Sequence, residues 1–493
     1  MSFFKKILSV IVCLMLVAGV FSGCGNKYED AIIYFELLEK PKTLDPQTAQ
    51  SDSELLIVRN IYEGLVRKQG DGTIVNGACA SYTYENLKYT FYLKDDLVWS
   101  NGEPLTAYDF EYGFMRAVDP RIKAPFASRL FSILNAEAIA QGTADISTLG
   151  VKAVDDKTFT ITLCKEDDDF LKTLTTSVCM PCNKDFFEAS TGKYGLDSKC
   201  IISNGSYRLT KWNKEDFGIR IYKNEEYAGE FTAQNAAVFI SCVADTAQVE
   251  RLADGSSDIA FLSGDELSAA RDAGLTNQNV QNTVWLLTIK REFSSQVRQG
   301  FAMSFSPMVY EKSLSEDFLV ATSVYPGILG IDVDGVGITQ YNIAEAKKIM
   351  SEQIGKMQDS KFPQSTLYYY NEPGAKELAT AIVGHWQQNL STFINIEASD
   401  NLAVIRKEID ESTLDFALFP ITAKSGSFEE YAKNFAAISN AVTPETLQQK
   451  LLEQHYMIPV AYQTTNISHT STLENVIVCE DNGYIDFSKI VKK

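Results

Sequence analysis

Residues 99–110 read WSNGEPLTAYDF and combine a turn signal with a helix start. Asn101-Gly102 suits a tight turn, because both residue types tolerate the backbone conformations that such turns require. Pro104 is typical of a helix start. Thr106 and Asp109 have the three-residue spacing of an N-cap box. The stretch therefore predicts scaffold: a turn that leads into a helix, with no ligand contact of its own.

On both sides of this stretch, predicted strands alternate with predicted helices. Alternating apolar residues rich in β-branched and aromatic side chains predict strands at residues 32–35, 89–93, 159–163, 206–212, 219–222, 238–242 and 284–289. Helical spacing of apolar residues predicts helices at residues 106–117, 344–350, 375–390 and 446–455. The predicted fold class is therefore mixed α/β.

The composition is that of a globular chain. Of its 493 residues, 45% are hydrophobic and 11% are aromatic, and this length suggests about three domains. The 64 acidic residues outnumber the 45 basic ones, which gives a formal charge of -19. Phosphate neutralisation needs clustered Lys and Arg, so the charge argues against a nucleic-acid partner. It says little about small ligands.

The first residues predict export. Two lysines precede residues 7–21, an unbroken run of 15 apolar and small residues, whereas a membrane-spanning helix needs roughly 20. The run ends in Phe21-Ser22-Gly23-Cys24, which resembles the lipobox of bacterial lipoproteins. We expect a signal peptide at residues 1–23, acylation of Cys24 (palmitate) and a tether at residues 24–30, which would anchor the protein to the cell membrane in an extracytoplasmic location. An ordinary signal peptide cut elsewhere, or an uncleaved anchor, is the alternative.

The cysteines predict neither a disulfide framework nor a metal site. Of the nine, Cys13 would leave with the signal peptide and Cys24 would carry lipid, and the seven that remain are an odd number. Cys179-Met180-Pro181-Cys182 has the spacing of a redox pair or of half a zinc site. Structural zinc takes four ligands, however, and the sequence has no second pair of this spacing and only three scattered histidines. We therefore expect no metal and no cofactor.

The sequence carries no familiar catalytic motif. It has no GxSxG nucleophile elbow, no GxxxxGK[ST] phosphate loop and no HExxH zinc site. Three isolated histidines also leave few general bases. We therefore expect a binding protein and not an enzyme, with no catalytic residues.

Several blocks of the sequence resemble one family. They are Thr43-Leu44-Asp45-Pro46 and residues 59–65, 89–93, 99–110, 117–120, 203–212, 255–259 and 297–299. These blocks resemble the extracytoplasmic solute-binding proteins of peptide-type ABC importers, and especially the oligopeptide-binding proteins. Residues 99–110 are the most specific of them, and the resemblance is good from about residue 30 to 300.

The resemblance implies a periplasmic-binding-protein-like fold with two lobes hinged about a cleft. Its first lobe would be discontinuous, formed by residues 31–65, 201–283 and 465–493. An extra domain would be inserted at residues 66–200, and residues 284–464 would form the second ligand-binding lobe. Closure around the ligand would then be a hinge motion of a monomer.

The resemblance also implies cleft positions. An ungapped match over residues 43–65 places Gln50 and Asp52 in the cleft. Phe126 falls at an aromatic that lines the cleft in the family. Gln463 falls where family members have a Tyr. These four residues are therefore predicted to bind ligand.

One segment both resembles the family's cleft strand and departs from it. Residues 413–424 place Phe419, Thr422 and Lys424 in ligand-binding positions. In oligopeptide binders this strand is followed by an aromatic and by an Asp that holds the peptide's α-amine. Here Ile421 stands at the usual Trp and Lys424 at the Asp, and the segment that follows is shorter by a helix or more.

Three functions compete on this sequence. The leading hypothesis is a lipid-anchored binding protein that captures oligopeptides or a related solute and delivers them to the permease of an ABC transporter. The alternative is a degenerate solute-binding paralogue that acts as a sensor or scaffold with altered ligand specificity. The lost Asp and the shortened segment favour this alternative. A cell-surface enzyme is the third, and the missing catalytic residues argue against it.

Overall fold

The structure is a computed structural model. It describes residues 31–70, 72–213, 215, 217–243, 245, 247–333, 336, 339–423, 428–435, 443–453, 455–479 and 484–493. The predicted signal peptide, the tether with Cys24, and Lys424 lie outside the described residues. Within the described part, none of the helices has both the length and the apolar character that a membrane crossing requires.

The strands follow in chain order. They are β1 (Ile32–Leu37), β2 (Val66–Lys68), β3 (Ile74–Asn76), β4 (Cys79–Glu85), β5 (Lys88–Leu93), β6 (Val151–Ala153), β7 (Thr158–Thr162), β8 (Tyr207–Lys211), β9 (Gly218–Lys223), β10 (Ala237–Cys242), β11 (Ile259–Leu262), β12 (Thr276–Ile289), β13 (Phe318–Val320), β14 (Ser365–Tyr370), β15 (Ile394–Ser399), β16 (Phe416–Thr422), β17 (Met457–His469), β18 (Leu473–Glu474), β19 (Val478–Cys479), β20 (Tyr484–Ile485) and β21 (Val491–Lys492).

The α-helices are interleaved with these strands. They are α1 (Asp52–Ile61), α2 (Ala107–Val118), α3 (Ala136–Ala140), α4 (Phe170–Thr173), α5 (Lys184–Ala189), α6 (Gln248–Asp254), α7 (Glu266–Asp272), α8 (Ser295–Met303), α9 (Ile343–Ile354), α10 (Ala375–Leu390), α11 (Leu402–Asp410), α12 (Phe428–Ala432) and α13 (Pro444–Glu453). Short 3-10 turns lie at Ala127–Leu130, Ile146–Thr148, Ser177–Cys179, Ser198–Cys200, Pro307–Val309, Glu311–Ser313, Gly327–Leu329, Gln358–Ser360, Lys433–Phe435 and Phe487–Lys489.

The predicted strands and helices are confirmed, with shifts of a few residues at their ends. At the start of α2 the backbone N–H of Thr106 donates to Asp109 Oδ2 over 2.7 Å, and both hydrogen bonds of the capping box are present. Trp99, just before the turn, is fully buried. The main difference is β12, which begins at Thr276 and not at Val284. Its first half is polar, so apolar alternation could not reveal it.

A single large sheet runs through the molecule. Its strands are ordered β15-β14-β16-β12-β17-β11-β1-β10-β9-β8, and β13 adds to β17. The antiparallel pair at its middle, β12 with 14 residues and β17 with 13, is the longest in the described chain. One end of this pair lies beside β11, and the other end lies beside β16.

Separate hydrophobic cores lie toward the two ends of the long strand pair. One core joins buried residues between Ile33 and Ile259 with others between Ile467 and Ile490, and we call this part the first lobe. Two adjoining cores draw on residues between Val284 and Tyr462, and we call this part the second lobe. The fold is therefore two-lobed. The first-lobe core continues without a break into the four-stranded sheet β4-β5-β7-β6, and the predicted boundaries of an inserted domain stay a prediction.

A buried ion pair ties that sheet region to the first lobe. Arg116, on α2, donates through Nη1 and Nη2 to the two carboxylate oxygens of Asp45, over 3.1 and 2.7 Å. Nη1 also donates to Gln47 Oε1 over 2.5 Å, and the guanidinium lies over the ring of Phe187. Both members of the pair are buried, so each charge depends on the other.

Candidate binding cleft

A cleft of about 320 Å³ opens where β12 and β17 pass from one lobe to the other. The ladder between these strands is irregular at this point, because a register shift falls between Gln281 and Thr283. Asn282 lies at the shift and lines the cleft. Its side-chain nitrogen donates to Thr465 Oγ1 over 3.0 Å, which bridges the two strands. Irregularities of this kind bend a strand and redirect its side chains.

The first lobe supplies an apolar wall. It comes from the end of β1, from one face of α1 and from β11, and its residues are Leu37, Leu38, Leu55, Leu56, Phe261 and Leu262. Helix α1 is held in place by its N-terminus. Ser51 and Glu54 form a capping box, and Glu54 Oε1 also accepts the backbone N–H of Lys42 over 2.9 Å. The helix therefore presents a fixed face to the cleft.

Most of the polar lining comes from the second lobe and the crossing strands. Its residues include Asn282, Asp317, Thr422, Gln463, Thr464 and Asn466. The hydroxyl oxygens of Thr283 and Thr422 lie 2.9 Å apart, which links β12 to the end of β16. A solute in this cleft would therefore meet both apolar side chains and hydrogen-bonding groups.

Gln463 has its amide orientation fixed by its neighbours. The indole Nε1 of Trp285 donates to Gln463 Oε1 over 2.8 Å. The amide nitrogen therefore faces the other way, and it lies 3.4 Å from Asp317 Oδ2. Trp285 itself is fully buried in the second lobe. The second-lobe core thus determines which amide atom of Gln463 faces Asp317.

Asp317 is the deeply buried acid of the cleft, at 2% exposure. Its Oδ1 accepts from the hydroxyl of Ser315 over 2.7 Å and from the backbone N–H of Gly264 over 3.2 Å. Gly264 follows β11, so this hydrogen bond joins the loop after β11 to the loop before β13. The Asp317 carbonyl also accepts the backbone N–H of Thr464 over 2.8 Å. Asp317 is therefore held by contacts with three separate segments of the chain.

The ionisable residues that line the cleft are mostly acidic. Glu39, Asp52 and Asp317 contribute carboxylates, and Arg59 is the one basic residue among the described lining residues. The guanidinium carbon of Arg59 lies 5.3 Å from the centre of the Tyr484 ring. The charge of the described lining residues is therefore net negative.

Three of the predicted ligand-binding residues come together in the cleft: Asp52, Thr422 and Gln463. Three others do not line it. Gln50 is exposed beside α1, and its backbone N–H donates to Glu54 Oε2 over 2.8 Å. The ligand-binding roles of these six residues stay predictions. So does that of Lys424, which lies outside the described residues.

Phe126 and Phe419 pack away from the cleft. Phe126 is half-buried against the first-lobe core, and the Arg129 guanidinium lies 4.4 Å from the centre of its ring. Phe419 is 3% exposed on β16, where it belongs to a second-lobe core. Strand β16 is buried along nearly its whole length, so alternation could not tell which of its side chains face the cleft.

Sequence reasoning missed Asn282 and Asp317. Asn282 lies in the polar half of β12, which gave no strand signal. Asp317 follows another acid in a short loop before β13, and nothing in the local pattern distinguishes it from a solvated residue. Only the tertiary fold brings it beside Gln463.

The Cys179-Met180-Pro181-Cys182 segment lies away from the cleft. Both thiols are free and buried, and burial raises the pKa of each to about 12. They are therefore protonated and poorly reactive at neutral pH. In the described residues, no group of His, Cys, Asp and Glu side chains is arranged to hold a metal ion.

Comparison with known proteins places this architecture among bacterial binding proteins. The sequence profile of the family described as bacterial extracellular solute-binding proteins, family 5 Middle, matches residues 73–441. The oligopeptide-binding protein OppA of Bacillus subtilis is 24% identical over 418 residues, which cover 80% of this chain and 76% of that protein. The probable deoxycholate-binding periplasmic protein YgiS of Escherichia coli is 25% identical over 468 residues, 86% of each chain.

A solved structure shows the same fold. OppA of Haemophilus influenzae, in complex with the peptide RPPGFSPFR, superposes with a TM-score of 0.74 at 19% identity. The superposition covers 94% of this chain and 99% of that one. The two-lobed periplasmic-binding-protein-like fold predicted from the sequence is therefore confirmed.

Proposed function

The chain belongs to family 5 of the bacterial extracellular solute-binding proteins, and we propose that it captures short peptides or a related solute for an ABC transporter. The observation that carries this proposal is the cleft itself. It lies between two lobes that are joined by a long strand pair, and both lobes contribute to its walls. A binding role without catalysis accords with the family.

Two features support a peptide or a similar amphipathic solute. Relatives of this chain are named for oligopeptides, and one is named as a probable deoxycholate binder. The cleft lining combines apolar side chains with amide, hydroxyl and carboxylate groups. A short peptide offers both kinds of surface, through its side chains and its backbone. Its ends and amide groups would be oriented by the polar lining.

Capture would involve hinge closure about the strand pair. We propose that residues 31–65, 201–283 and 465–493 move as one lobe and residues 284–464 as the other, with residues 66–200 as an inserted domain. The register shift beside Asn282 lies at this boundary, and hinges need only a few residues that absorb a backbone change. Under this division, the hydrogen bonds of Gly264 with Asp317 and of Arg271 with Glu316 would join the two lobes.

Delivery requires that the protein stay near the membrane. The Ser22-Gly23-Cys24 sequence after an apolar run supports acylation at Cys24, and a lipid-anchored monomer could then present its closed form to the permease subunits. The lipid anchor and the permease are both part of this proposal.

A thermal-shift screen tests peptide capture. The purified protein is heated alone and with millimolar pools of short peptides, amino acids or sugars. A ligand that binds the folded state raises the melting temperature by mass action, so the peptide pool is expected to raise it and the sugar pool is not. No shift with any pool would reject solute capture in favour of the sensor or scaffold hypothesis.

A further inference from the structure

Strand β4 forms an open edge of the four-stranded sheet β4-β5-β7-β6. In the part of the chain that the structure describes, β4 pairs only with β5. The side-chain nitrogen of Asn76 donates to the Ala80 carbonyl over 2.8 Å and covers the start of the edge. Every residue from 81 to 85 is exposed. We call residues 81–85 the free edge.

The turn from β4 into β5 determines which backbone groups of the free edge face outward. Residues 86–87 have positive φ, of 51° and 63°, as the two central residues of a type I′ hairpin turn do. Glu85 and Lys88 flank this turn and stand opposite each other, and such a flanking pair exchanges backbone hydrogen bonds. Bonded and outward-facing residues alternate along an antiparallel strand. Tyr82 and Tyr84 therefore direct their N–H and C=O groups away from β5.

Two half-exposed tyrosines end the hydrophobic layer of this sheet. Tyr82 stands opposite Phe91 of β5, and their ring centres are 5.6 Å apart. Tyr84 stands opposite Tyr89, and their ring centres are 4.4 Å apart. Phe91 is fully buried, whereas Tyr82 and Tyr84 are 37% and 41% exposed. The apolar layer therefore continues to the last strand and is left partly uncovered there.

The free edge lacks the side chains that commonly protect an edge strand. It contains no proline and no lysine, and its one charged residue, Glu85, lies at its end. An unprotected edge is a template for pairing with another strand. A strand that paired here would bond the outward backbone groups of Tyr82 and Tyr84 and would cover their rings on the open side.

We propose that the free edge pairs antiparallel with the free edge of a second copy of this chain, about a two-fold axis at Thr83. Tyr82 then lies opposite Tyr84 of the second copy, and the reverse, so that four rings cluster. The two Glu85 carboxylates are about 14 Å apart, beyond the screening length of roughly 10 Å. A parallel pairing would place these like charges side by side, and this difference favours the antiparallel pair.

The pairing goes beyond the proposed function and is independent of peptide capture. No residue of β4 is among the described residues that line the cleft, so each paired chain would keep its own cleft. A five-residue strand pair is small beside the interfaces of stable complexes. The pair is therefore expected to exchange with single chains and to form more fully as the protein concentration rises.

Cysteine cross-linking tests the two-fold axis. Thr83 faces its own copy as a pair without mutual hydrogen bonds, and the Cα atoms of such a pair are about 4.5 Å apart, within disulfide reach. Thr83→Cys is combined with Cys164→Ser, which removes an exposed natural thiol. The purified protein is oxidised with diamide and run on a non-reducing gel. A disulfide-linked pair at twice the chain mass is expected.

Thr90→Cys, in the same Cys164→Ser background, is the matched control. Thr90 stands directly opposite Thr83 on β5, but in the proposed pair the two Thr90 positions are three strand spacings apart, about 14 Å. This distance is too long for a disulfide. Linkage of both variants to the same extent, or of neither, overturns the pairing. A linked product of any other mass shows a different protein at the free edge and also overturns it.

A second pair of variants tests the same axis without a covalent bond. Thr83→Lys places two like charges directly opposite each other and should abolish the pair, whereas Thr90→Lys should keep it. Sedimentation equilibrium over a range of protein concentrations measures both. Because Thr83 is exposed, its replacement leaves the core of the sheet untouched. A wild-type protein that sediments as a single chain at every concentration, or a Thr83→Lys variant that associates as wild type does, contradicts the proposal.

Discussion

The indole of Trp285 donates to the side-chain oxygen of Gln463 over 2.8 Å, and this one hydrogen bond turns the amide nitrogen of Gln463 toward the cleft acid Asp317. A residue of the second-lobe core thereby controls the orientation of a group in the cleft. The relationship links the stability of the lobe to its binding surface, and it can be broken without touching the cleft itself.

Trp285→Phe removes this donor. We expect a loss of stability of about 1 kcal/mol, because one hydrogen bond is lost and Gln463 Oε1 is left without its donor. We also expect a weaker affinity for the captured solute, because the Gln463 side chain is then no longer fixed from the core. Urea unfolding and calorimetric titration measure the two effects. Trp386→Phe is the control, since Trp386 is equally buried in the same lobe but packs against Phe301 and Phe416, which do not line the cleft. Trp386→Phe should lower stability and leave the affinity for the solute unchanged. Equal affinity in both variants would show that the indole bond does not matter for binding.

Asp45→Asn should be strongly destabilising. It leaves the guanidinium of Arg116 buried without its counter-ion, and breaking such a pair costs about 3–5 kcal/mol. The surface pair of Asp119 with Arg121 offers a comparison, because Arg121 is exposed, and Asp119→Asn should change stability little. Urea unfolding at pH 7 measures both. A small effect of Asp45→Asn would mean that Gln47 and water compensate for the lost carboxylate.

Asp109 should make stability depend on pH. Burial raises its pKa to about 6, above the value of about 3.9 expected in the unfolded chain. The protonated carboxyl therefore contributes stability below about pH 4, and this contribution is lost as the pH rises through 6. Asp109→Asn cannot ionise, so its stability relative to wild type should rise by about 2 kcal/mol between pH 4 and 7. Urea unfolding across this range measures the difference. A constant difference would show that Asp109 titrates normally.

Acylation at Cys24 predicts a specific mass. Protein extracted from membranes should begin at Cys24 and carry a diacylglycerol adduct, because small residues precede this Cys at the end of the apolar run. Intact-mass spectrometry measures it. If Cys24→Ser stays in the membrane at the unprocessed mass, the segment is an uncleaved anchor.

The sequence predicted the scaffold better than the cleft. The turn and capping box around Asn101-Gly102 and Thr106 depend on local chemistry, so they could be identified from neighbouring residues. Asp317 and Asn282 could not, because their burial comes from strands far apart in the chain. Phe419 is the opposite case. Its position in the family predicted that it lines the cleft, but its ring packs into the second-lobe core.

Solution scattering with a bound peptide tests the central claim most directly. A tripeptide that raises the melting temperature is added at saturation, and the radius of gyration is compared with that of the protein alone. If the solute is captured between lobes that hinge about β12 and β17, the radius of gyration must fall on binding. A raised melting temperature with an unchanged radius of gyration would contradict capture by closure.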